Sequence, residues 1–165
     1  MKTIALMRHS HAVSDNSAWS DYERPLSAKG RELALATADL LKDLRPDRII
    51  CSSAERTLET SQIVARATES DGRVLSHEAL YLAPADVYVA AARDDLTAED
   101  NTVLIVGHNP GIAGLMCNWA QESLSVSPAT VAIFRFHSDD WQALHRVSHE
   151  ILEWTGLISN GIRVK

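Results

Sequence analysis

Residues 102–111 read TVLIVGHNPG, and this stretch decides the fold. Val103 to Val106 form a continuous apolar run, too short for an ordinary helix and rich in β-branched residues, so it reads as a buried strand. Gly107 ends the run. Asn109 is then placed to cap a helix, and Pro110 suits the first helical position. A buried strand that passes straight into a helix is the repeating step of an α/β sheet. His108 sits in the connection.

The same alternation extends in both directions from this step. Toward the N-terminus, residues 2–8 are apolar up to Arg8 and His9. Residues 27–44 carry a helical stripe of Leu33, Thr37, Leu40, Leu41 and Leu44, stopped by Pro46. DRIICSS, residues 47–53, reads as a strand feeding a helix from Ala54 to Ala67. RVLSHEAL, residues 73–80, is a weaker strand, followed by an alanine-rich helix over 85–94. Beyond residue 111 a helix carries Ile112, Leu115, Met116 and Trp119 on one face. TVAIFRF, residues 130–136, and QALHRVSH, residues 142–149, read as two closing strands, paired antiparallel because few residues separate them. The expectation is one domain over residues 1–165: a three-layer α/β/α sandwich with a mostly parallel central sheet and an antiparallel edge strand.

Composition limits what such a domain does. The chain has 165 residues, 45% of them apolar, enough for a sizeable core. A net charge of −6 argues against generic affinity for nucleic acid or anionic lipid. The tryptophans do not cluster with basic residues, so no base-stacking platform is expected. Cys51 and Cys117 form no disulfide framework and no metal knuckle, and read as buried free thiols. The apolar run at the N-terminus is too short for a signal-peptide core, and no apolar run is long enough to span a membrane. A cytoplasmic monomer is expected, with no membrane partner.

In a parallel sheet, ligands bind beyond the carboxyl ends of the strands. The first strand ends in Arg8-His9. The second ends at Ser52, whose spacing to Glu55 matches a capping box and puts Arg56 in the first turn of the next helix. The strand at 102–107 ends in His108. Helix starts offer unpaired N–H groups and partial positive charge. Each feature alone has an ordinary structural explanation. Together, two arginines, two histidines and two helix starts on one side of a sheet suit a phosphoryl group.

Three motifs also resemble a known family. MRH at 7–9, SSAERTLET at 52–60 and VGHNPG at 106–111 are similar to those of the histidine phosphatase superfamily. RPLSAKG at 24–30 and EALYLA at 78–83 are similar to its short, SixA-like phosphohistidine phosphatase branch. The resemblance implies His9 as the nucleophile, forming a phosphohistidine that water hydrolyses. It implies Arg8, Arg56 and His108 as phosphate-binding partners, and Glu78 at the position of a proton donor. No metal and no other cofactor is implied. The implied partner is a phosphorylated protein, such as a histidine-phosphorylated signalling domain, or a small phosphate ester. Ser10 and His11 depart from the usual pattern and are read as rim residues.

Two other readings stay open from the residues. His9, His11 and His108 could form a hydrolytic metal site, although two arginines would repel the ion. The chain could also bind phosphorylated ligands without catalysis. Arg24 is expected to anchor the loop before the first helix, and residues 15–23 to form a loop at the rim. His77, His137, His145 and His149 match no motif and are expected to be structural.

Overall fold

In a computed structural model, described for all residues except 17 and 147–149, seven strands form one mixed sheet. The elements run β1 (Lys2–Arg8), α1 (Ala28–Leu40), β2 (Arg48–Ser52), α2 (Glu55–Ala67), β3 (Val74–His77), α3 (Ala85–Asp95), β4 (Thr102–Gly107), α4 (Gly111–Ala120), β5 (Val131–Phe136), β6 (Leu152–Ser159) and β7 (Ile162–Arg163). Short 3-10 helices lie at Asp21–Glu23, Glu78–Leu80 and Trp141–Arg146. The strand order is β3-β2-β4-β1-β5-β6-β7. The first four are mutually parallel, and β5, β6 and β7 add antiparallel at one side.

The period of two along each strand divides the core into two layers. Ile4, Leu6, Ile50, Val103 and Ile105 point to the side packed by α3 and α4, with Tyr88, Ile112, Met116 and Trp119. Ala5, Met7, Ile49, Cys51, Leu104 and Val106 point to the side packed by α1 and α2, with Ala38, Leu41 and Val64. These runs are apolar throughout because both faces of the sheet are covered. Neighbouring β1 and β4 send their chains to opposite faces, β1 to α1 and β4 to α4. Their carboxyl ends therefore flank a crevice at a topological switch point.

The structure corrects the last predicted strand. Residues 141–146 form a 3-10 helix, and the strand that pairs with β5 is Leu152–Ser159. Trp141 and Leu144, three residues apart, are both buried, and a 3-10 turn puts such positions on one side. Residues 147–149, His149 included, lie outside the described residues. The true strand was hidden by a register shift, since Ile133 pairs with Gly156 and Phe134 with Trp154. That leaves Thr155 as the extra residue of a bulge, which breaks the alternation a sequence pattern relies on. Helix α1 also ends earlier than predicted, at Leu40, with a turn over the next four residues.

Candidate active site

The end of β1 is held on both sides. His9 N donates to Gly107 O of β4 at 3.0 Å, and His9 O accepts from Ala129 N at 3.2 Å. His9 is 9% exposed. Its Nδ1 lies 2.7 Å from the Ser10 carbonyl, an acceptor, so Nδ1 carries the proton and Nε2 keeps the lone pair. Arg56 Nε donates toward that Nε2 at 3.4 Å. Burial, with the nearby charges of Arg56, Arg8 and Arg24, lowers the His9 pKa to about 4, against the Ser10 contact that raises it. At neutral pH the imidazole is uncharged.

Arg56 lies in the first turn of α2, as the spacing predicted, but the capping box is absent. The N-cap position is Ala54, with no side-chain cap. Ser52 Oγ accepts from Ala54 N at 3.2 Å and meets His108 Nε2 at 2.8 Å. Its role is to orient His108. Asn109 likewise does not cap α4: its Nδ2 donates to Val126 O at 3.1 Å, and Pro110 occupies the N-cap position. The His108 ring is edge-on to His9, with centroids 5.2 Å apart. Burial, then His9 and Arg56, lower its pKa to about 3. Its Nδ1 is buried without a hydrogen-bond partner among the described residues.

The loop before α1 contributes what the sequence did not reveal. Asp21 clamps Arg56: its carbonyl accepts from Nη1 at 2.6 Å and its Oδ2 from Nη2 at 3.1 Å. Asp21 Oδ1 accepts from Arg24 at 2.7 and 3.1 Å, and the Tyr81 hydroxyl donates to Oδ2. The Tyr81 hydroxyl first, then the two arginines, hold this carboxyl far below the usual carboxylate range, against its desolvation. Arg24 also donates to Val13 O at 2.7 Å, so it anchors the loop and reaches the site through Asp21. The signal available was the Asp21–Arg24 spacing, a one-turn ion pair. Tyr81, seated edge-on to His108 with ring centroids 5.5 Å apart, lay in the EALYLA motif, which marked the segment but not this contact.

Arg8, His9, Arg56 and His108 line one cavity of about 540 Å³, with Asp21 and His11. Glu78 does not join them: it is exposed on the 3-10 turn after β3 and does not line the cavity. His77 bonds Asp95 at 2.5 Å and His137 lies 3.3 Å from Glu153; neither lines the cavity, and neither does His145. The metal-site arrangement is also not formed: among the described residues no three His, Cys, Asp or Glu side chains are grouped to hold an ion. Cys51 is buried, which raises its pKa to about 11, while Cys117 is only half-buried.

The cavity therefore gathers His9, His11 and His108 with the guanidinium groups of Arg8, Arg24 and Arg56 at a sheet switch point. Against known proteins, the model of the histidine phosphatase superfamily (branch 1) matches residues 4–80. A structure from Nakamurella multipartitia, provisionally named phosphohistidine phosphatase SixA, is 26% identical, covers 96% of this chain and 95% of its own, and superposes with a TM-score of 0.80. Its counterpart from Agrobacterium tumefaciens, also provisionally named SixA, is 23% identical, covers 96% and 97%, and gives 0.77. An uncharacterized chloroplastic protein of Arabidopsis thaliana is 26% identical over 162 residues, 89% of this chain and 72% of its own length. By the match over residues 4–80 and the fold shared with these structures, the chain is similar to the histidine phosphatase superfamily and, in architecture, to its SixA-like members.

Proposed function

We propose that the protein hydrolyses its substrate through a covalent phosphohistidine on His9, and that the substrate is phosphohistidine in a protein. The observation that carries the first part is the state of His9. Its Nδ1 proton is engaged by Ser10 O, leaving the Nε2 lone pair directed at the cavity beside Arg56. In the first step that lone pair attacks phosphorus, the N–P bond forms, and the bond to the leaving group breaks. In the second step water attacks phosphorus, the N–P bond breaks, and phosphate departs.

Arg8 and Arg56 hold the non-bridging oxygens and offset the charge that builds on them. His108, with Ser52 donating to Nε2, presents Nδ1–H as a further donor. Both histidines are neutral at pH 7 because burial and the arginines disfavour a third and fourth positive charge. Asp21 keeps Arg56 fixed while making no demand for the guanidinium edge that faces His9.

A protein substrate is supported by the likeness to proteins named for SixA and by the rim, where His11 is exposed and Leu82 is 52% exposed. The test has two parts. Brief exposure to ³²P-labelled substrate should leave acid-labile, alkali-stable phosphate on the enzyme, and His9→Ala should abolish both label and turnover. A screen in EDTA should then rank a histidine-phosphorylated protein above small phosphate esters in kcat/KM. The reverse order would assign the protein to small esters.

A further inference from the structure

We propose that His11 is the acid–base residue of this site, protonating the leaving group and then taking a proton from the attacking water. The inference rests on the His9 reading above. His11 lines the same cavity as His9, Arg8 and Arg56. Its Nδ1 lies 2.7 Å from Ser27 Oγ, and that hydroxyl donates to His11 O at 3.2 Å. The single hydroxyl proton is thereby used, so Nδ1 is the donor in its contact with Ser27. Nε2 has no hydrogen-bond partner among the described residues.

The support around His11 is rigid. Ser27 N donates to His11 O at 3.0 Å, and Ser27 Oγ accepts from Gly30 N at 2.9 Å as the cap of α1. Ser10 Oγ donates to Gly30 O at 2.6 Å. Gly30 comes so close that a Cβ there would sit 1.8 Å from His11 O. Backbone and ring are therefore both fastened to the start of α1, and this is how acid–base groups are held for proton transfer.

The other titratable groups of the cavity are committed elsewhere. His9 is the nucleophile, and His108 is held by Ser52 and kept neutral. Asp21 is held as a carboxylate by Tyr81 and the arginines, so it has no proton to give. Glu78 does not reach the cavity. In the first step, as His9 Nε2 bonds to phosphorus, the His11 imidazolium passes its Nε2 proton to the leaving oxygen or nitrogen. The imidazole left behind keeps its Nδ1–H on Ser27. In the second step its Nε2 lone pair accepts the proton lost by water, which restores the imidazolium.

Leaving groups that need a proton separate this role from a structural one. His11→Asn keeps an amide donor for Ser27 and removes the ionisable ring. It should lose about 100-fold in kcat/KM on alkyl phosphates and no more than about 3-fold on p-nitrophenyl phosphate, whose leaving group departs unaided. Equal losses on both substrates, or no loss on either, overturn the role. Native enzyme gives an independent reading should the variant fold poorly. Across alkyl and aryl phosphates its kcat/KM should depend only shallowly on leaving-group basicity, and a steep dependence overturns the inference. If His9→Ala still hydrolyses, the His9 reading itself has failed and takes this one with it.

Discussion

At the scale of single residues, Arg56 links the nucleophile candidate His9 to Asp21. Its Nε faces His9, and its two terminal nitrogens are held by the carbonyl and carboxylate of Asp21. Lysine offers a point charge and cannot meet three acceptors in one plane. Arg56→Lys should lower kcat about 100-fold or more, in the range seen when a preorganised donor is removed, read in steady-state kinetics. Asp21→Asn keeps the carbonyl clamp but withdraws the carboxylate from both Arg56 and Arg24. A fall of about 10-fold in kcat/KM is expected, and in the Arg56→Lys background the same change should add little, since the two residues act as a unit. Arg8, His9, Arg56 and His108 were legible because each ends a strand or opens a helix within a readable motif. Asp21 was not, because its partners lie 35 and 60 residues away, at Arg56 and Tyr81.

At the scale of elements, the glycines of two motifs mark where helix starts are pressed against neighbouring backbone. Besides Gly30 against His11, a Cβ on Gly111 would sit 1.9 Å from Ala83 O. A carbonyl oxygen in a packed chain cannot swing aside as a long side chain would. Gly30→Ala and Gly111→Ala should each destabilise the fold by about 2 kcal/mol or more, measured as a lower urea midpoint at unchanged slope. Gly114, with no atom within 4 Å of such a Cβ, is the matching control, and Gly114→Ala should leave the midpoint unchanged or raise it slightly. Strands β1, β2, β4 and β5 were read from their apolar runs, and the helices from their stripes. Strand β6 escaped because the bulge at Thr155 disrupts its alternation, and the caps of α2 and α4 were misread because Ser52 and Asn109 found partners outside their own helices.

At the scale of the whole molecule, the site costs stability in acid. His9 falls from an ordinary pKa of 6.5 to about 4, and His108 to about 3. Between these values and 6.5 the unfolded chain binds protons that the folded chain does not, so unfolding free energy rises with pH. The His9 shift alone corresponds to a loss on the order of 3 kcal/mol as pH falls from about 6.5 to 4. Urea denaturation across that window should show the loss, and His9→Gln should flatten the slope. The sequence by itself determined the α/β layering, since continuous apolar strands are stable only when both faces are covered. It also determined the quartet at the strand ends, since those positions follow from local pattern and chain order. The tertiary structure alone decided the closing strand, the aspartate that grips Arg56, the surface position of Glu78 and the seating of His11 against α1. Those outcomes depend on contacts between residues far apart in the chain, where geometry and burial select the partner and no local spacing encodes it.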